Sequence, residues 1–139
     1  MARPPPDLRP WYNRRVKVSA DKLAPLYILV SGEPLLIDRT LKAIRDAAVP
    51  EAVRAFNYDI VDGKGAQGGR ILNLARTVPM MSPKRVVLVR DAHAMVAKEL
   101  TPLLEYLEDP SPQTVLVMTA PKVDKRLKFF AQASKKKLI

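Results

Sequence analysis

The chain has 139 residues, 47% of them apolar, with 24 Lys/Arg against 14 Asp/Glu for a formal net charge of +10, and no cysteine. That length and apolar content fit one domain built on a single core, while the missing cysteine excludes a disulfide framework, thiolate metal sites and a cysteine nucleophile. No run approaches the roughly 18 apolar residues of a membrane span, and Met1-Ala2-Arg3-Pro4-Pro5-Pro6 lacks the apolar region of a secretory signal, so a cytoplasmic protein with no membrane partner is expected.

The positive charge belongs to the two ends. Residues 1–22 hold 6 Lys/Arg against 2 acids and residues 121–139 hold 7 against 1, whereas residues 23–120 hold 11 of each. A short run such as Lys135-Lys136-Lys137 is ordinarily a solvated surface, and its attraction for phosphate is nonspecific. Residues 1–22 read as a Pro/Arg-rich arm, with Pro4-Pro5-Pro6 in polyproline II, Trp11-Tyr12 as the only large apolar group, and Ala20-Asp21-Lys22 as a short turn. Residues 23–139 read as one α/β domain.

From Leu26 the pattern alternates between strand and helix. Leu26–Val30 reads as a buried strand, Ser31-Gly32-Glu33 as a tight turn, and Pro34 as the first residue of an amphipathic helix with Ile37, Leu41, Ile44 and Ala48 inward. Arg54–Val61, with Phe56, Tyr58 and Ile60 alternating with polar residues, suggests a less buried edge strand. Asp62-Gly63-Lys64-Gly65 turns the chain into a helix near 66–77, with Ile71, Leu74, Ala75 and Val78 on one side, stopped by Pro79. Arg85–Arg90 is nearly continuous in apolar content, as a strand buried on both faces should be. A turn over 92–99 precedes Thr101-Pro102, an N-cap and first helical residue, with Leu103, Leu104 and Leu107 inward. After the turn Asp109–Pro112, Thr114–Thr119 is the fourth strand, and Asp124 is placed to cap a last helix bearing Leu127, Phe130 and Ala131. Four β–α units imply a three-layer parallel sheet with flanking helices. The sequence reaches Leu138-Ile139 where a further strand would begin, which suggests an excised domain or one without its closing strand.

The first strand–turn–helix stands where nucleoside triphosphatases carry a P-loop, yet the phosphate chemistry is missing. A P-loop needs several glycines to bring backbone N–H groups onto phosphate, followed by Lys and Ser/Thr. This turn has one glycine, an acidic Glu33, and Leu35-Leu36 followed by Asp38 and Arg39. The third strand, in the place of a Walker B strand, ends in Arg90-Asp91-Ala92-His93, a single carboxylate beside a cation. His93, the only histidine, reads as a structural hydrogen-bonding group before it reads as a base or ligand, and no cluster has metal-ligand spacing. No cofactor is expected. The positive signal is Pro79-Met80-Met81-Ser82-Pro83, two methionines between prolines at a helix end. Either both fold back into the core, or they form a presented hydrophobic wedge; methionine is common at adaptable binding surfaces, and the flanking prolines favour presentation.

LYILVSGEPLLIDRTLKAI at 26–44, FNYDIVDG at 56–63, ILNLARTVPMMSPKRVVLVRDAHA at 71–94 and TVLVMTAPKVDKRLKFF at 114–130 together resemble the N-terminal domain of the delta subunit of the bacterial DNA polymerase III clamp loader. The resemblance implies an AAA+-like fold with a degenerate nucleotide site and no catalysis of its own, although the family belongs to the polymerase III holoenzyme. It further implies that a hydrophobic pair at a helix end inserts into the sliding clamp (the beta subunit) and favours ring opening during DNA replication. By position that pair is Met80 and Met81, with Val78 and Pro79 setting its presentation; some relatives carry Leu-Phe there. The other implied partners are the gamma/tau and delta prime subunits, with DNA reached through the full assembly, and lid and collar domains are expected downstream. The alternative is a phosphate-, nucleotide- or DNA-binding α/β domain working through its basic ends, with Lys125, Arg126, Lys135, Lys136 and Lys137 as contacts. A receiver-like signalling domain would need an acidic cluster after the first strand, which Glu33 alone does not supply.

Overall fold

β-branched and leucine-rich runs that carry no polar residue for water must be covered on both sides, and the two such runs here form the centre of the sheet. In a computed structural model that describes residues 23–136, the strands are β1 (Leu26–Val30), β2 (Tyr58–Asp62), β3 (Arg85–Arg90) and β4 (Thr114–Ala120). All pair in parallel, in the order β1-β4-β3-β2. The arm with Trp11 and Tyr12, and Lys137 at the other end, lie outside the described residues. Every residue of β4 is buried, as are Arg85–Val89 of β3.

The period-2 alternation of the central strands divides the core into two halves. Val87, Val89, Leu116 and Met118 face one side, under helix α3 (Gly68–Arg76), the segment 92–108 and helix α6 (Lys128–Lys135), whose Phe129 and Phe130 meet edge to face. Val86, Leu88, Val115 and Val117 face the other, under helix α1 (Pro34–Ala48) through Ile44 and Ala48. Three layers result, as the alternating pattern requires.

The structure corrects four local readings. Residues Arg54–Asn57 are a helical turn, α2, and the second strand begins only at Tyr58. The cause is polar: Arg54 donates from Nε to Val49 O at 3.1 Å and from a terminal nitrogen to Asp46 Oδ1 at 2.8 Å, while Asn57 turns inward. Thr101 is not an N-cap. Helix α4 (Ala97–Leu100) has begun upstream, Thr101 Oγ1 donates back to Ala97 O, and Pro102, lacking an N–H, tightens Thr101–Leu103 into a 3-10 turn before α5 (Leu104–Glu108). Asp124 accepts from the Arg126 N–H in a turn ahead of α6, whose N-cap is Leu127; Phe129, Phe130 and Ala133 make the buried face, with Ala131 only half-buried. Val78 leaves the face of α3 and is exposed.

The start of α3 is held by close backbone packing. Gly68 N–H donates to Glu99 Oε1 at 2.9 Å, bringing a carboxylate to the positive end of the helix, and a Cβ at Gly68 would collide with the Glu99 carbonyl. Gly68→Ala should therefore lower unfolding stability by about 1–3 kcal/mol. Gly69→Ala, where a Cβ meets nothing within 4 Å, should raise it by about 0.5–1 kcal/mol through helix propensity. Urea midpoints that move in opposite directions for these neighbours are the expected result.

Candidate functional site

The carboxyl ends of parallel strands are where open α/β sheets bind ligands, and a cavity of about 310 Å³ lies there, lined among others by Ser31, Ile37, Asp38, Arg90, Asp91 and Thr119. Its chemistry is wrong for triphosphate. Pro34 at the first turn of α1 has no N–H to offer, the Leu36 N–H is taken by Glu33 O at 3.1 Å, and the Glu33 N–H by Ser31 Oγ at 3.0 Å. Asp38 and Asp91 set two carboxylates against one cation, Arg90, and no lysine lines the wall. Asp91 adopts a left-handed backbone, with φ of 56°. His93 is exposed in the 3-10 turn Ala92–Ala94, beside a second cavity that it lines with Lys122, Asp124 and Arg126. Among the described residues no group of three acidic, histidine or cysteine side chains could hold a metal ion.

The opposite end of the sheet carries the methionines. After α3 closes at Thr77, whose hydroxyl donates to Asn73 O at 2.7 Å, Val78 is 66% exposed, Met80 56% and Met81 75%, with Pro79 half-buried between them. Met95 and Met118, by contrast, are core residues. Neither Met80 nor Met81 belongs to either half of the core. The loop then leads into the first residue of β3, so it sits at the amino end of that strand, about 20 Å along the sheet from the cavity.

This exposed segment is fixed from below by one buried side chain. Asn57, with no exposed surface, donates from Nδ2 to Met80 O at 2.7 Å and to Val53 O at 2.9 Å, and its Oδ1 accepts from the Met80 N–H at 2.7 Å. The amide thus pairs both backbone groups of Met80 at once. Met81 follows with φ of 55°, a left-handed conformation that costs a non-glycine residue about 1–2 kcal/mol. Ser82 Oγ donates to Lys84 O at 2.7 Å, and Lys84 Nζ to Pro112 O at 2.6 Å. At the start of β3 the buried Arg85 guanidinium pairs with Asp59 of β2. Sequence reasoning missed Asn57 by reading it within a strand; the signal available was a polar residue ahead of a β-branched run, facing a loop that needs its backbone satisfied.

The basic candidates do not converge. Lys125 and Arg126 lie exposed ahead of α6, and Arg126 forms an ion pair with Asp124 at 3.0 Å that holds the Asp124 carboxyl below its usual range. Lys135 and Lys136 lie at the far end of that helix, about 12 Å away by its rise, with Lys136 Nζ 3.3 Å from Glu108.

The family model described as DNA polymerase III, delta subunit, matches residues 27–139. The chain belongs to the DNA polymerase III delta subunit family. It is 29% identical over 114 residues to the DNA polymerase III subunit delta of Bacillus subtilis strain 168, covering 75% of this chain and 33% of that protein. The solved Bacillus subtilis DNA clamp loader delta protein matches with a TM-score of 0.74 at 28% identity, over 83% of this chain and 37% of that one. A DNA polymerase III gamma subunit-related protein from Thermotoga maritima shares the fold, with a TM-score of 0.55 at 13% identity over 94% of this chain and 43% of its own. This delta-family chain therefore spans about a third of the length of its curated relative, and its parallel sheet with flanking helices is the AAA+-like architecture expected from the sequence. Among the described residues no helix is long and apolar enough to cross a membrane.

Replacing Asn57 with Ala leaves the Met80 and Val53 backbone groups without their partner. A stability loss of about 2–3 kcal/mol is expected, with faster hydrogen exchange at the Met80 amide than at the amides of β4.

Proposed function

We propose that this chain is the clamp-gripping part of a clamp-loader delta subunit, acting in the cytoplasm during DNA replication. In this reading Met80 and Met81, flanked by Val78 and Pro79, enter an apolar pocket on the DNA sliding clamp. What supports it most directly is the combination of delta-family membership with two methionines more than half exposed on a segment whose backbone is pinned by Asn57. An exposed apolar segment that is already ordered loses little conformational entropy on docking, so its burial goes further into affinity.

The ring opens only to the extent that the wedge binds the open clamp better than the closed one. No bond is made or broken, and the cleft at the other end of the sheet takes no part in phosphate chemistry. The gamma/tau and delta prime subunits complete the assembly, through which DNA is reached. The basic residues before and after α6 are, on this account, solvated surface, with Asp124 and Glu108 balancing Arg126 and Lys136.

Binding of the chain to the sliding clamp of the same organism, followed by calorimetry at two salt concentrations, tests this. Burying the methionines should contribute about 3 kcal/mol, so Met80→Ala/Met81→Ala should weaken binding about a hundredfold with little dependence on salt. Binding that falls steeply with salt and ignores the methionines would instead point to the basic ends.

A further inference from the structure

We infer that the clamp-facing surface extends past the methionines to Phe56, which serves as a third apolar anchor. The inference rests on the clamp-gripping reading above and adds a residue, on a different element, to the surface that reading uses.

Phe56 is 54% exposed, whereas Phe129 and Phe130 are buried in the core. Single exposed apolar residues are ordinary; the setting of this one is not. As part of an edge strand, Phe56 would have alternated with its neighbours across the sheet. In the helical turn α2, Asn57 points inward with no exposed surface while Phe56 faces solvent. Two other residues of the same turn are tethered: Arg54 to Val49 O and Asp46, Asn57 to Val53 O and Met80. Phe56 is thereby presented on a fixed turn, as an interface anchor needs to be.

The same bonds set its position relative to the wedge. Asn57 touches both the Met80 N–H and the Met80 carbonyl, and Phe56 is its chain neighbour. Covalent and hydrogen-bond lengths then keep the Phe56 and Met80 backbones within about 10 Å of each other. Phe56, Val78, Met80 and Met81 are all more than half exposed, and the Asn57 amide ties the turn that carries Phe56 to the Met80 backbone. Large apolar side chains exposed on neighbouring, tethered segments suit a protein-binding surface, and aromatic residues are enriched among the anchors that carry binding energy. The occupant that fits is an apolar pocket on the sliding clamp beside the one that takes the methionine pair.

The test titrates the 139-residue chain and its variants against the sliding clamp, with urea unfolding of each variant alongside. Phe56→Ala should weaken binding at least tenfold with an unchanged unfolding midpoint, and Phe56→Leu, which keeps an apolar side chain, should stay within threefold of the parent. Phe56→Ala binding within twofold of the parent, while Met80→Ala/Met81→Ala loses about a hundredfold, would overturn the extension and leave the wedge standing. A fall in the unfolding midpoint that accounts for the weaker binding would make Phe56 structural and overturn it too. If neither variant alters binding, the clamp reading itself fails and takes this inference with it.

Discussion

One buried amide joins the exposed methionine loop of this molecule to its sheet. A buried polar side chain must find partners for its donors and acceptor, because each left unmade costs more than a made bond returns. Asn57 meets that demand by holding Val53 on one side and both backbone groups of Met80 on the other. The helical turn Arg54–Asn57 exists on these terms, against the strand preference of Phe56, and the strand begins only at Tyr58. The left-handed Met81 and the exposed Val78 follow from where that clamp fixes the loop. Function in this account is therefore a matter of presentation: apolar side chains kept out of the core and held still.

A parallel sheet has two unlike ends, and this chain treats them differently. At the carboxyl end the fold retains a concavity of the kind in which open α/β sheets bind ligands, but proline at the start of α1 removes a donor and Asp38 and Asp91 set two carboxylates beside one cation, Arg90. At the amino end of β3, a loop that in a catalytic domain need only connect elements carries the most exposed large hydrophobic residue among those described, Met81. The central strands β3 and β4, buried along almost their whole length, run between the two ends.

Much of this was legible in the chain itself. The four alternating strand and helix patterns announced a parallel sheet covered by helices, and the near-continuous apolar run of β3 announced a strand buried on both faces. The exposure of Met80 and Met81 was legible only as one of two alternatives, because methionine suits core and surface equally. Contacts distant in sequence were not legible. Periodicity placed Tyr58 and Ile60 correctly in a strand but began it at Arg54, because the pairing of Asn57 with a residue 23 positions away leaves no local signal. Thr101-Pro102 looked like a helix start because the same pair also suits a 3-10 turn inside a helical segment that began at Ala97. Asp124 was misplaced for a similar reason: its partner, Arg126, completes a turn before the helix begins.

The central claim is that the amino end of the sheet, and not the cleft or the basic ends, meets the sliding clamp. Hydrogen exchange of the full chain with and without the clamp addresses it directly. The account predicts clamp-dependent protection confined to residues 53–57 and 78–84. Protection that appears instead around 31–38 and 90–93, or only over 122–136, would contradict it.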